Sequence, residues 1–213
     1  MALHIRIAAR REFPSRELCE MHTLRARVFK GRLGWEVPVL SGMEIDGYDA
    51  LEPWYMMMRD GGADARAGTL RGCWRLLPTV GPYMLKDSFA ALLHGQAAPS
   101  DPRIWELSRF AIETKCKDSF GFSALTMESI AEIIRHARHS GIEQYLTVTT
   151  LAIERLLRRA GVVTRRFGPA LTIGVETAVA LYVDVRATGA ALAAPAMSPT
   201  PAASPLAATR LAA

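Results

Sequence analysis

Apolar residues in this chain switch repeatedly between a spacing of two and a spacing of three and four, so strands and helices must share one fold. Leu3, Ile5 and Ile7 alternate with His4 and Arg6, as on a half-buried strand. Ser15 is placed to cap a helix in which Leu18, Met21 or His22, Arg25 and Phe29 recur on one side, predicted to run to about Lys30. Segments 54–59 and 69–77 read as two strands of a hairpin joined through Gly61-Gly62. A short helix is expected at 85–93 and a strand at 105–112. An amphipathic helix follows at 124–139, with Gly141 past its end. Leu146, Val148 and Thr150 then alternate with Tyr145, Thr147 and Thr149, a helix at 151–160 ends at Gly161, and strands at 171–175 and 178–185 close the domain. Helices and strands alternate without strict βαβ repetition and without an internal repeat. The expectation is an α/β sandwich with one mixed sheet.

The periodicity stops near residue 187. From 187 to 213 the chain is mostly alanine broken by Pro195, Pro199, Pro201 and Pro205, with Arg210 as its only charge. Such a segment buries too little to offset its ordering entropy, so it is read as a flexible tail behind a folded domain at 1–186. Hydrophobic residues at 50% and charged residues at 22% exclude disorder of the whole chain. Cys19, Cys73 and Cys116 form no C-x-x-C pair, which favours a reducing compartment, the cytoplasm, and opposes a structural zinc. No apolar run reaches eighteen residues, so no membrane span is expected. The net charge of +5 suits an acidic partner without naming one.

Chemistry-bearing residues gather in five places. The loop-like segment 31–53 holds Asp46 and Asp49 around Gly47, a pair suited to a cation or an ammonium group, or to an ordinary solvated turn. In Trp105-Glu106-Leu107-Ser108-Arg109-Phe110, a regular strand would send Glu106 and Arg109 to opposite faces, so cooperation between them requires a strand end or a bulge. Glu106 between apolar neighbours is either a general base tuned by burial or half of a structural salt bridge. Arg75, between Trp74 and Leu76, must face solvent or meet a carboxylate. Arg25 and Phe29 share a helix face, and Arg155, Arg158, Arg159, Arg165 and Arg166 form the densest basic run. His136 and His139 read as exposed surface, and no histidine spacing suggests a metal site. Phosphate-loop, dinucleotide, zincin and nucleophile-elbow motifs are absent.

Taken together and in order, these motifs resemble those of the acyl-homoserine-lactone synthases, the autoinducer synthases of bacterial quorum sensing. The resemblance spans about 3–185 and rests on Arg25-x-x-Val28-Phe29, Arg32-Leu33-Gly34-Trp35, Glu44-x-Asp46-x-x-Asp49, Trp74-Arg75-Leu76-Leu77-Pro78-Thr79 and Glu106-x-Ser108-Arg109-Phe110. The signature positions Arg25, Phe29, Trp35, Asp46, Asp49, Arg75, Glu106 and Arg109 are all filled.

That resemblance implies a three-layer αβα sandwich with a mostly antiparallel mixed sheet, similar to N-acetyltransferases. It also implies two substrates, S-adenosylmethionine and a fatty acyl thioester on acyl carrier protein. S-adenosylmethionine is consumed, so no cofactor and no metal are expected. On this reading Glu106 is the base, and Asp46, Asp49, Arg75 and Arg109 form its charged surroundings. Arg25, Phe29 and Trp35 wall the S-adenosylmethionine site. Leu107, Phe110, Met127, Leu146, Val148 and Leu181 are candidates for an acyl tunnel or for plain core, and Thr147 sits where the family's 3-oxo-associated threonine falls. Arg155 and Arg159 match the family's carrier-docking surface. Two rivals are weighed against it. An acetyl-CoA-dependent acetyltransferase needs a [Q/R]-x-x-G-x-[G/A] loop, which Arg158-x-x-Gly161-x-Val163 fails at its last position. A nucleic-acid-binding module would use the arginine run but leaves the acidic and aromatic motifs unexplained, so no nucleic-acid partner is expected.

Overall fold

The computed structural model describes residues 3–61, 68–113 and 123–194. Strands β1 (Leu3–Ala9), β4 (Trp54–Asp60), β5 (Leu70–Pro78), β6 (Ile104–Ile112), β7 (Gln144–Thr150), β8 (Thr164–Arg166), β9 (Leu171–Ile173) and β10 (Glu176–Asp184) form one sheet. Its order is β1-β4-β5-β6-β7-β10-β8, with β9 also on β10, and a separate two-stranded ribbon pairs β2 (Val39–Leu40) with β3 (Met43–Glu44). All ladders in the large sheet are antiparallel except β6 with β7, which is parallel over three residue pairs, from Ile104–Gln144 to Glu106–Leu146. Among the described residues the two strands do not pair beyond that point, so the sheet opens between 107–112 and 147–150.

Helices cover both faces, as the paired periodicities require. On one face α3 (Ala124–His139), α4 (Leu151–Arg159) and α5 (Val185–Ala193) close over a core that includes Trp74, Leu76, Leu107, Ile130, Ile133, Tyr145 and Leu181. The other face carries two apolar clusters. One packs α1 (Ser15–Ala26) on Tyr55, Met57 and Cys73, and the other packs the short α2 (Met84–Asp87) region on Leu77, Leu146 and Ala180. Strand parity makes this division: Trp74 and Leu76 point one way, and Cys73, Arg75 and Leu77 point the other. Arg75 therefore emerges between the two apolar clusters.

The structure departs from the sequence reading at several element ends. Pro14, not Ser15, holds the cap position of α1, and past Ala26 the helix widens into a π-helical turn, Arg27–Arg32. Segment 31–53 is not structureless, since it holds the β2–β3 ribbon and a 3-10 turn, Gly47–Ala50. The expected helix at 85–93 divides into α2 and a 3-10 turn, Ala90–Leu93. The chain does not leave the fold at 186: α5 packs on α3 with Val185 and Thr188 buried, because an alanine-rich stretch without proline is a good helix former. The prolines begin at Pro195, and 195–213, Cys116 and Gly62 lie outside the described residues. His136 is half-buried against Trp54 rather than exposed. No helix among the described residues is long and apolar enough to cross a membrane.

Candidate active site

Between the two apolar clusters of the α1–α2 face lies a buried network of three arginines and three carboxylates. Arg25, on α1, donates through Nε to Glu44 Oε2 at 2.5 Å and spans Asp49 with two bonds of 2.8 and 3.0 Å. Arg75, on β5, reaches Asp46 Oδ1 at 2.5 Å, Asp46 Oδ2 at 3.1 Å and Asp49 Oδ1 at 2.9 Å. Arg109, on β6, donates to Glu44 Oε1 at 2.9 Å and lies 2.8 Å from Asp46 Oδ2. Tyr55 adds a hydroxyl on Asp49 at 2.7 Å, and Ser108 accepts from Arg75 Nε at 3.2 Å. Three positive and three negative charges balance, which is the condition under which burial of this many ions is tolerated.

Local structure places each partner. Asp46 caps the 3-10 turn through the Tyr48 amide, and Asp49 closes the same box on the Asp46 amide. This turn presents both acids to the same guanidinium. The bulge demanded by the odd Glu106–Arg109 spacing is present: Cys73 faces Ala111 while Arg75 faces Ser108, so two residues of β5 span three of β6. Arg109 sits in it with φ +57°, a conformation costly for a side chain of its size. The bulge turns Arg109 toward Glu44 and Asp46.

Glu106 stands beside the network, 1% exposed, and its two oxygens accept the amides of Met84 and Leu85 at 2.9 and 2.6 Å. Burial pushes its carboxyl above the usual range, and the two amides and the charges of Arg75 and Arg109 offset only part of that. Asp49 behaves oppositely: burial would raise it, but Arg25 and Arg75 outweigh burial and hold it well below the ordinary carboxylate range. Met84 joins the two regions, its sulfur 3.1 Å from Arg75 Nη2 and 3.5 Å from Arg109 Nη1. Phe29 and Trp35 stack with centroids 5.3 Å apart and planes 2° from parallel, and Arg109 lies 5.8 Å from the Phe29 ring centre.

Seven of the eight signature positions thus converge with Glu44, and the eighth, Trp35, is stacked on the seventh, Phe29. Three expectations need correction. Arg25, expected with Phe29 and Trp35 in the wall of the S-adenosylmethionine site, is fully buried and committed to Glu44 and Asp49. The acyl candidates do not share one face, because Leu107, Phe110, Met127 and Leu181 pack beneath α3, with Thr147 paired to Leu181, whereas Leu146 and Val148 pack on the α2 side. The basic run is also divided. Glu154, 2% exposed, holds Arg166 and Arg158, and Arg165 stacks on Tyr182, which leaves Arg155 and Arg159 exposed on α4. Glu44 is the site residue that spacing reasoning missed. Among the described residues no group of three or more His, Cys, Asp or Glu is placed to hold a metal.

Comparison with known proteins identifies the family. A family model described as autoinducer synthase matches residues 10–190. A curated acyl-homoserine-lactone synthase of Pseudomonas aeruginosa is 50% identical over 183 residues, covering 86% of this chain and 90% of that protein. The crystal structure of the synthase LasI matches with a TM-score of 0.77 at 49% identity, over 86% of this chain and 90% of that one. A coenzyme A-dependent synthase, BjaI, solved with S-adenosylmethionine and isopentyl-CoA, matches with a TM-score of 0.78 at 26% identity, over 90% of this chain and 88% of that one. An acyl-CoA N-acyltransferase at 14% identity and a TM-score of 0.57 shares the fold alone. With the signature positions assembled on one sheet face and half of the aligned residues identical to a curated relative, this chain belongs to the autoinducer synthases, the acyltransferases that make acyl-homoserine lactones.

Proposed function

We propose that this synthase joins the acyl group of an acyl carrier protein thioester to S-adenosylmethionine. The α-amino nitrogen attacks the thioester carbonyl, the carrier thiol leaves, and an amide forms. The substrate carboxylate then displaces methylthioadenosine from the γ-carbon, breaking the C–S bond and closing the lactone. The observation that carries this reading is Glu106, a buried carboxyl with a raised pKa beside a balanced arginine network and an aromatic stack.

An α-ammonium group titrates at about 7.7–8.0 and must lose a proton before it attacks. Each Glu106 oxygen spends one lone pair on a backbone amide and keeps another for that proton, directly or through a water. Of the three arginines only Arg109 is partly open, with 13% of its side chain exposed against 0% for Arg25 and Arg75, so it is the one to meet the substrate carboxylate. Arg25 and Arg75 hold the acids that hold Arg109. Phe29 and Trp35 close over the sulfonium or adenine and exclude water. The acyl chain lies beneath α3 against Leu107, Phe110, Met127 and Leu181. Glu106→Gln is expected to lower kcat by about 10²–10⁴-fold with KM for S-adenosylmethionine little changed. Parent-like turnover at both pH 7 and pH 9 would contradict the base role.

For the acyl donor, the exposed Arg155 and Arg159 on α4 favour an acidic carrier. The likeness to a coenzyme A-dependent synthase favours acyl-coenzyme A instead. Initial rates with matched carrier and coenzyme A thioesters over a salt series decide between them. Use of the carrier thioester should weaken with salt more steeply than binding of S-adenosylmethionine.

A further inference from the structure

The segment after the π-helical turn crosses the opening in the sheet. At one end Arg32 Nη1 donates to the Ile112 carbonyl, the last residue of β6, at 2.9 Å. At the other end Trp35 Nε1 donates to Glu176 Oε1 at 3.4 Å, on the first residue of β10. Ala178 pairs with Thr150, so Glu176 lies just past the end of β7. Both tie points therefore sit at the wide end of the wedge between β6 and β7.

The two ties differ in strength and in what lies between them. Backbone bonds from Leu33 to Val28 and from Trp35 to Phe29, each 2.9 Å, fix the main chain on either side of Gly34 to the π-helical turn. Gly34 lies between the ties with φ +68° and open space around its Cα, so rotation is cheapest there. The Trp35–Glu176 bond is long and half-buried, and without it the indole is held by its stack on Phe29 alone.

We propose that Glu176 is a positioning residue for S-adenosylmethionine binding, acting through the indole N–H of Trp35 to hold the 32–35 crossing closed over the open sheet. The inference rests on the reading that Trp35 walls the S-adenosylmethionine site. Among the described residues Glu176 makes no hydrogen bond or ion pair with the arginine network or Glu106, so its loss leaves the chemical machinery in place.

The test is steady-state kinetics of the full chain with S-adenosylmethionine and a saturating acyl thioester, on Glu176→Ala, Glu176→Gln, Trp35→Phe, the Glu176→Ala/Trp35→Phe double variant and Trp35→Ala. Glu176→Ala should raise KM for S-adenosylmethionine about fivefold, the size of one modest net hydrogen bond, with kcat within about twofold. Glu176→Gln keeps an acceptor oxygen and should restore most of the loss. Trp35→Phe keeps a ring without the N–H and should match Glu176→Ala, and the double variant should be no worse than either single one. An unchanged KM in Glu176→Ala overturns the inference. A Glu176→Gln variant as impaired as Glu176→Ala also overturns it, since charge rather than the hydrogen bond would then be at work. Trp35→Ala separates the two levels: if it leaves KM unchanged, the placement of Trp35 in the substrate wall is wrong. If Trp35→Ala is impaired and Glu176→Ala is not, only the role of Glu176 fails.

Discussion

Removing the charge of Asp49 would leave the buried network one negative charge short, with Arg25 held by Glu44 alone and Arg75 by Asp46 alone among its carboxylates. Asp49→Asn should therefore cost about 3–5 kcal/mol of stability at pH 7, measured by chemical denaturation. The pH dependence has a definite sign. The folded-state value of Asp49 lies below its ordinary 3.8, so its contribution is fully present above that pH and is lost as pH falls through the depressed value. The stability gap between parent and variant should narrow only in strongly acidic solution. Much of this chemistry was legible one residue at a time, since Arg75 between two apolar strand neighbours had to find an acid. Glu44 was not, because pairing between a loop and two distant strands has no period. The signal that was available was positional: Glu44 opens the Glu44-x-Asp46-x-x-Asp49 motif, two residues before Asp46.

The elements of the sheet and the longer helices were readable because one apolar face per element is what the core selects. Helix α3 occupies the 124–139 span that its spacing predicts, and the bulge followed from asking how Glu106 and Arg109 could share a face. The π-helical turn at Arg27–Arg32 and the last helix, α5, were not readable. The turn keeps the helical i and i+4 pattern while widening the backbone, and α5 is too alanine-rich to display a strong apolar stripe. Its docking is nonetheless testable. Truncation after residue 186 removes buried Thr188 and the packed Leu192 and should lower stability by about 2–4 kcal/mol, on a scale of ~1.5–3 for one fully buried aliphatic side chain. Thermal melts of the truncated and full chains read the loss.

At the scale of the whole molecule, the three layers divide the labour. One sheet face holds the ion network and the aromatic stack, the opposite face packs an apolar core under α3, and the sheet itself opens between β6 and β7. Sequence parity alone could not assign Leu146 and Val148 against Thr147, because helices cover both faces and apolar residues are expected on each. The outer surface of α4 is the third part. On the proposed carrier-docking role, reversing charge at the exposed Arg155 and Arg159 together should raise KM for a carrier thioester at least tenfold at low salt, and leave KM for S-adenosylmethionine within about twofold. The central claim is the coupled reaction itself. Mass spectrometry of the purified protein incubated with S-adenosylmethionine and a panel of acyl carrier protein thioesters should find acyl-homoserine lactone and methylthioadenosine rising together in equal amounts. Turnover of an acyl thioester without methylthioadenosine, or methylthioadenosine without lactone, would contradict it.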